Sequence, residues 1–322
     1  MKLKLTWFAA AAAAVMVATV VAGALAAGAG KVAMDPPIAI SRSTGPLRIG
    51  IIGMDHGHVE GVLWSAREHP ERMVIVGVSE PDRAVFDRLA AKYGLDASLW
   101  FADAGAMLDA KKPEAVSVMG PISGHRAAVE ACGPRGVHVL VEKPLAYSKE
   151  DAAAIEKVAR ESGILVLTNF ETSWYASVRE AKRMVEEGRA PVRKMVFRHG
   201  HKGPKEIGCS AEFVEWLTDP AQNGGGAVVD FGCYGAVLAT WLMDGARPLS
   251  VKASAATLKP DVYPRVDDDA TIVLTYPTAT AVVQASWAWT HDNKEMDVFT
   301  ERRSIHAAKW DQPSVREENS PA

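Results

Sequence analysis

Cysteine is scarce in this sequence. Its 322 residues include three cysteines, Cys132, Cys209 and Cys233, and none of them has a second cysteine at C-x-x-C spacing. Three scattered cysteines are too few for a disulfide framework, and the missing spacing excludes a thiolate zinc site. Burial of apolar side chains must therefore stabilise the fold.

An excess of charge of one sign is also missing. The chain has 36 lysines and arginines against 39 aspartates and glutamates, which gives a formal net charge of -3. Without a basic excess we expect no nucleic-acid partner. Apolar residues make up 48% and charged residues 23% of the chain, and this globular composition excludes disorder over most of its length. The length predicts two domains.

Charged residues are absent from positions 5–30, which are rich in alanine and valine. Lys2 and Lys4 precede this stretch, and small residues at 24–26 and 27–29 fit A-x-A cleavage sites. This order predicts a secretory signal peptide over residues 1–30 and a linker over 31–45. No twin arginine is present, so we expect Sec-type export to the periplasm or the extracellular space. The alternative is an uncleaved membrane anchor; cleavage would leave no stable membrane insertion.

The first half alternates short apolar runs with segments of helical periodicity. Strand-like runs cover residues 47–53, 73–79, 115–119 and 137–141. Strand and helix in alternation predict an α/β fold with a parallel, doubly wound sheet, which we assign to residues 46–167. A ligand would then lie at the carboxyl ends of the strands.

The loop after the first strand lacks two of the three glycines of a G-x-G-x-x-G dinucleotide site. Gly53 is in register, but Asp55 and His58 occupy the second and third glycine positions. Glu80, at the end of the second strand, can accept hydrogen bonds from a ribose diol and repel a 2'-phosphate, which favours NAD over NADP. The alternatives are a plain tight turn at Gly53 and a solvated strand end at Glu80.

Two longer motifs resemble one known family. Residues 136–144 (GVHVLVEKP) are similar to the G-K-H-V-x-x-E-K-P stretch of the glucose-fructose oxidoreductase, inositol dehydrogenase and rhizopine-catabolism (Gfo/Idh/MocA) oxidoreductases, and residues 224–234 (GGGAVVDFGCY) to their G-G-G-A-L-x-D-x-G-x-H/Y motif. Shorter matches occur at residues 90–94, 267–270 and 283–287. The resemblance covers about residues 46–290. It implies an N-terminal Rossmann domain and, over residues 168–322, an α/β domain with an open, mostly antiparallel sheet.

The resemblance also implies a nicotinamide-dependent enzyme that acts on a sugar or polyol hydroxyl. Lys143 would be the acid/base and the positive charge beside the developing alkoxide, if burial favours its neutral form. Asp230 and Tyr234, four residues apart, would point into one pocket, as in the glucose-fructose oxidoreductase and dihydrodiol dehydrogenase branch. The residues that would bind the cofactor are Gly53, Asp55, His58, Glu80, Pro121, His125, Glu142 and Lys143. Asn169 and Trp174 would line the substrate pocket.

No metal site is predicted. His56, His58 and His125 lack a carboxylate at fixed spacing, which a zinc site with so few histidines would need. Residues 291–322 carry 12 charged residues with little periodicity, so from about residue 291 we expect an atypical tail instead of the family's closing strands.

Three functions stay open at this point. The first is an exported oxidoreductase that acts on a carbohydrate. The second is a redox-neutral glycoside lyase or hydrolase that uses bound NAD transiently, and the third is a non-catalytic periplasmic sugar-binding protein. Outside the family context, Lys143 could equally be an ordinary lysine at a strand end. The exposed sheet of the second domain is a candidate surface for homo-oligomer formation.

Overall fold

The computed structural model describes residues 45–308 and 313–317. The predicted signal peptide lies outside these residues, as does nearly all of the predicted linker. The described chain forms two compact units. The first contains residues 45–169 together with Ser210–Trp216, and the second contains Phe170–Cys209 and the residues from Leu217 onward.

The first unit contains a six-stranded sheet in the order β3-β2-β1-β4-β5-β6, with every neighbouring pair parallel. This confirms the predicted doubly wound α/β fold. The strands are β1 (Leu47–Ile52), β2 (Met73–Ser79), β3 (Trp100–Phe101), β4 (Ala115–Val118), β5 (His138–Glu142) and β6 (Val166–Asn169). The helices between them are α1 (Val59–Glu68), α2 (Arg83–Tyr93), α3 (Ala104–Lys111), α4 (His125–Cys132) and α5 (Lys149–Ser162).

Local sequence explains where several of these helices begin. The side chains of Asp82, Asp103 and Ser148 accept backbone N–H hydrogen bonds at the first turns of α2, α3 and α5. Such caps satisfy amide donors that have no partner inside the helix. Every residue of β4 is buried, as expected for a central strand covered on both faces. The caps and the apolar runs together account for the alternation seen in the sequence.

The second unit contains a seven-stranded sheet in the order β13-β12-β11-β7-β10-β9-β8, antiparallel except for the parallel pair β7 and β10. Its strands are β7 (Val192–Gly200), β8 (Ser250–Ala256), β9 (Asp269–Thr275), β10 (Thr280–Ser286), β11 (Asn293–Thr300), β12 (Arg303–Ala308) and β13 (Ser314–Glu317). Its helices are α6 (Ala176–Gly188), α8 (Pro220–Asn223), α9 (Ala227–Asp230) and α10 (Gly232–Leu242). Helix α7 (Ala211–Leu217) belongs to the first unit up to Trp216. Helices α6 and α10 share one apolar core with the sheet.

The expectation of a tail without closing strands was wrong. Three strands, β11 to β13, form after residue 291, and β11 pairs with both β7 and β12 in the interior of the sheet. Met296 and Val298 alternate with polar residues along β11, and Ile305 and Ala307 do so along β12; all four are buried. The buried apolar residues of β11 and β12 do recur at every second position, but the charged residues among them hid this strand pattern in the sequence.

The G-G-G-A-V-V-D segment is shaped by contact with the loop before β9. A Cβ atom at Gly226 would collide with the carbonyl oxygen of Asp267, so only glycine fits. The Asp267 carboxylate accepts the backbone N–H groups of Gly226 and Val228, at 2.9 and 2.7 Å. Asp230 and Tyr234 lie on two different helices, because α9 ends at Asp230 and α10 begins at Gly232.

Within the described ranges, no single helix is long and apolar enough to cross a membrane. One bent pair, Pro220–Asp230 with Gly232–Leu242, meets the criteria of length and composition alone, with a 60° bend between its parts. Within the described ranges the three cysteines form no disulfide; Cys132 is buried, and Cys209 and Cys233 are half-buried.

Candidate active site

The loop after β1 approaches the loop after β4 closely. Gly53 has φ of 76°, and a Cβ atom there would lie 2.9 Å from the backbone nitrogen of Gly120. A left-handed backbone at a crowded position requires glycine. This close backbone approach at the carboxyl end of β1, followed by the N-terminus of α1, fits a dinucleotide. Gly53 therefore occupies a position that only glycine tolerates, and its contact with a dinucleotide stays a prediction.

Glu80 holds the loops after β1 and β2 through its two carboxylate oxygens. One of its carboxylate oxygens accepts the backbone N–H of Met54 at 2.7 Å, and the other accepts that of Asp82 at 2.9 Å. Burial raises the pKa of Glu80, the hydrogen bond from Asp82 opposes this, and the nearby Asp55 raises it further. Glu80 thus shapes the loop itself, a role that its place at the strand end does not reveal.

Asp55, at the second glycine position, lies among other acidic groups. Burial raises its pKa, and the charges of Glu212 and Asp82 raise it further, against the lowering effect of Arg88. Arg88 also forms an ion pair with Glu212 of α7, at 2.8 Å. The loop therefore carries concentrated negative charge next to the place where a dinucleotide would lie.

Glu142, at the end of β5, is almost fully enclosed, with 1% of its side chain exposed. With His56, His58 and Asn169 it forms what we call the Glu142 cluster. Its Oε1 lies 3.0 Å from Nδ1 of His58 and accepts a 2.7 Å hydrogen bond from the amide of Asn169. Its Oε2 lies 3.8 Å from Nε2 of His56. Burial alone would raise the pKa of Glu142, but the adjacent His58 and His56 hold it well below the usual range.

Two aromatic side chains of α7 lie against this cluster. The ring of Phe213 packs edge-on against His56 with centroids 4.6 Å apart, and Trp216 lies 6.0 Å from the same imidazole. His56 is consequently buried, whereas 33% of the His58 side chain is exposed. The cluster can be reached from solvent on the His58 side.

Lys143 follows Glu142 at the carboxyl end of β5 and is buried at 8% exposure. The peptide bond to Pro144 is cis. His125 does not join His56 and His58. Its Nδ1 lies 3.1 Å from the carbonyl oxygen of Leu145, and burial lowers its pKa. His125 thus holds the loop after Lys143, while Pro121 caps the short 3₁₀ turn that precedes His125.

In the second unit, Asp230 and Tyr234 are both buried. One Asp230 oxygen accepts the indole N–H of Trp287 at 2.8 Å. The ring of Tyr234 packs edge-on against His199, with centroids 5.6 Å apart, and Phe170 also contacts it. Desolvation, assisted by the charge of Lys294, lowers the pKa of His199 to about 3, so this imidazole is neutral.

Glu171 and Lys294 form a largely buried ion pair close to Tyr234. Tyr175 donates a 3.0 Å hydrogen bond to Glu171, and the Lys294 ammonium lies 5.8 Å from the centre of the Tyr234 ring. Trp174, expected in the substrate pocket, is half-buried in a 3₁₀ turn. Asn169, expected there too, instead belongs to the Glu142 cluster.

Sequence reasoning missed Lys294, Glu171, His199 and the pairing of Glu142 with His56 and His58. Lys294 was hidden because β11 was not recognised as a strand. A carboxylate that follows β5 and a histidine that follows β1 meet because both strands end at the same edge of a parallel sheet. The meeting of these two strand ends could therefore have been predicted from the sequence once the strand order was assumed.

Two family models match the chain. Residues 47–170 match the oxidoreductase family with an NAD-binding Rossmann fold, and residues 178–306 match the GFO/IDH/MocA C-terminal domain. The chain therefore belongs to the Gfo/Idh/MocA oxidoreductases, which confirms the resemblance, the predicted enzyme class and an NAD(P)-binding Rossmann domain.

Several curated relatives are named for activities on sugars or their derivatives. The chain is 29% identical over 188 residues to dTDP-3,4-didehydro-2,6-dideoxy-alpha-D-glucose 3-reductase of Streptomyces antibioticus, which covers 58% of this chain and 54% of that protein. It is 28% identical over 194 residues to D-glucoside 3-dehydrogenase of Escherichia coli, covering 60% and 52%. The chain spans about half the length of these relatives.

Solved structures share the fold. Aldose-aldose oxidoreductase from Caulobacter crescentus, complexed with glycerol, aligns with a TM-score of 0.69 at 22% identity, covering 86% of this chain and 85% of that one. The inositol dehydrogenase homologue of Azotobacter vinelandii, complexed with NAD+, aligns with a TM-score of 0.73 at 19% identity, covering 86% and 77%. At such identities the likeness establishes the fold alone.

Proposed function

We propose that this protein is a nicotinamide-dependent oxidoreductase that interconverts a hydroxyl and a carbonyl group on a sugar or polyol. The observation that carries the proposal is the burial of Lys143 at the carboxyl end of β5, within a chain whose two halves both match this family. Ligands of open parallel sheets bind at that edge. The sugar-directed activities named for the curated relatives support the same substrate class.

Lys143 is proposed as the acid/base at the reacting hydroxyl. A lysine at 8% exposure is partly desolvated, which favours proton release, while its ammonium form can stabilise a developing alkoxide. Bound nicotinamide would supply or accept the hydride. Glu142 fixes the strand end, because its Oε2 accepts the backbone N–H of Lys143 at 3.3 Å. Asp230 and Tyr234 are proposed as substrate-binding residues of the second unit.

We further propose that NAD is preferred to NADP. Burial raises the pKa of Asp55 and of Glu80, and the negative charge of Asp82 raises both further; this concentration of negative charge opposes a 2'-phosphate. The supporting feature is the group of three acidic residues, since the carboxylate of Glu80 is engaged with backbone amides. Titration of each dinucleotide into the protein tests this, and equal or tighter NADP binding would contradict it.

The activity is tested with a panel of sugars and polyols. The purified protein is mixed with NAD and each candidate substrate, and reduced nicotinamide is followed by absorbance, with product analysis by mass spectrometry. The expected result is stoichiometric oxidation of at least one sugar hydroxyl, absent in Lys143→Ala. Dinucleotide binding with rearrangement or cleavage of a glycoside, and no net oxidation, would refute the redox assignment.

Export and self-association are also proposed. The signal-like order of residues 1–30 supports cleavage near Ala26 or Ala29, and recovery of an intact N-terminus from membranes would contradict it.

The edge strand β8 is exposed throughout, and Val251 on it and Leu249 just before it are 59% and 71% exposed. Such apolar exposure supports a homo-oligomer through this sheet, and light scattering of the wild type and Val251→Lys would test it.

A further inference from the structure

The loop after β1 and the end of β5 bring three metal-ligating side chains together. One ligand atom each from His56, His58 and Glu142 can be chosen so that all three lie within 4.8 Å of one another. The two imidazole nitrogens face different oxygens of the same carboxylate, at 3.8 and 3.0 Å. We propose that His56, His58 and Glu142 bind a divalent transition-metal ion of the zinc type.

The spacing of these atoms suits such an ion. Ligand atoms about 2.0–2.2 Å from a tetrahedral zinc ion lie roughly 3.3–3.6 Å from one another. With one ligand atom from each residue, the three atoms lie within 4.8 Å of one another, so side-chain rotations that draw them together would complete this geometry. Two imidazoles and one carboxylate form a donor set that zinc uses in catalytic sites, where a fourth position stays open.

Burial and charge favour the same conclusion. The Glu142 side chain is 1% exposed, and its neighbours in the described chain are imidazoles, the Asn169 amide and a backbone N–H. A buried charge is costly unless it is paired, and a divalent cation would pair with Glu142 more strongly than imidazoles do. The partly exposed His58 gives such an ion a route from solvent.

The supporting shell around the three ligands is also present. The Asn169 amide holds Oε1 of Glu142 at 2.7 Å, and Phe213 and Trp216 of α7 pack against His56. Such outer contacts orient ligands and tune metal affinity. His58 stands at the third glycine position of the dinucleotide loop, and its imidazole is one of the proposed metal ligands. The inference concerns the first unit alone and holds whether or not a dinucleotide binds.

Metal binding would change one hydrogen bond of the loop. In this structure the backbone N–H of His58 donates to Nδ1 of His56, at 3.1 Å. If His56 ligates through Nε2 as a neutral imidazole, Nδ1 must carry the proton and can no longer accept. The His58 amide signal in an NMR spectrum should therefore shift on addition of Zn²⁺.

The test uses Co²⁺, whose visible absorption reports its coordination, and Zn²⁺ as competitor. The purified protein is freed of metal with a chelator and titrated; wild type should bind one Co²⁺ per chain, displaced by one Zn²⁺. His58→Ala changes a partly exposed side chain and should weaken binding by about 100-fold or more, since loss of supporting contacts alone costs 10–100-fold. Asn169→Ala should weaken binding by about 10-fold.

His69→Ala is the matched control. His69 and Glu71 form another histidine–carboxylate pair of the first unit, with Nδ1 and Oε1 3.7 Å apart; His69 is about as exposed as His58, but the carboxylate of Glu71 is 65% exposed whereas that of Glu142 is 1% exposed. Circular dichroism verifies that each variant is folded. Absence of Co²⁺ absorption in folded wild-type protein would overturn the proposal. An equal loss of absorption in His69→Ala and His58→Ala would do so as well.

Discussion

In the first unit the buried carboxylate of Glu142 faces two imidazoles and an amide, whereas in the second unit that of Glu171 faces a lysine ammonium and a phenol. The Lys294 ammonium compensates the charge of Glu171 within the second unit. Imidazoles, by contrast, are common metal ligands. The comparison indicates that the first unit's cluster can accept a metal ion, whereas the second unit's carboxylate already has a cation fixed beside it.

Removing the fixed charge should produce the largest effect. Lys294→Met leaves Glu171 buried without its cation, and breaking such a pair typically costs about 3–5 kcal/mol of unfolding free energy. Chemical denaturation measures it. Arg193→Met is the control, because Arg193 and Glu301 form an ion pair in the same unit with both side chains 47% exposed, and such pairs contribute about 1 kcal/mol or less. If Lys294→Met and Arg193→Met lost the same unfolding free energy, the buried ion pair of Glu171 would be no stronger than an exposed one, and the contrast drawn between the two units would be wrong.

Next in size is the loss of Lys143. Lys143→Ala should reduce turnover by about 100-fold or more, the range for losing a positioned acid/base or an alkoxide-stabilising charge. Lys143→Arg should not restore it, because a guanidinium stays protonated. Tyr234→Phe should reduce turnover less if the phenol only orients substrate. Initial rates on a confirmed substrate decide this, and unchanged turnover in Lys143→Ala would remove the proposed chemistry from the first unit.

His199 should make the second unit sensitive to acid. Its pKa is about 3 in the folded chain because of burial and Lys294, but about 6.5 when unfolded. Between these values the unfolded chain binds a proton that the folded chain excludes, so the free energy of unfolding falls as pH falls. The slope is at most about 1.4 kcal/mol per pH unit.

Urea denaturation of wild type and His199→Asn between pH 6.5 and 4.5 measures this slope. The variant should lose less stability over the interval, whereas the control His291→Gln, at an exposed position, should behave like wild type. Parallel pH profiles for all three proteins would show that His199 does not titrate as described.

The smallest effect concerns Glu80. Glu80→Gln replaces an oxygen that accepts a backbone N–H by an amide nitrogen that cannot, next to Met54 or Asp82. We expect a loss of about 1–2 kcal/mol in stability, and NADP binding closer in affinity to NAD binding because one negative charge is gone. Isothermal titration of both dinucleotides checks this. A variant with unchanged stability but a changed NAD preference would mean that Glu80 faces the ribose after all.

Part of the candidate site was accessible from motifs and from the family resemblance they carry. Gly53, Lys143, Asp230 and Tyr234 were singled out by motif, and the family assignment that rests on those motifs is confirmed. The orientation of Glu80 was not accessible, because a strand-end carboxylate can turn outward to a ribose or inward to the loop. Competition for the N–H groups of Met54 and Asp82 determines which way it turns.

The sequence by itself determined the order of the elements in the first unit. Apolar runs with periods of two and 3.6 residues, capped by Asp82, Asp103 and Ser148, are local properties and predict its parallel sheet. The antiparallel sheet of the second unit was expected only from the family resemblance. Only the tertiary structure decided which charged residues meet. His58 and Glu142 are 84 positions apart, and Glu171 and Lys294 are 123 apart. No local rule pairs side chains over such distances, because sheet order and strand register bring them together.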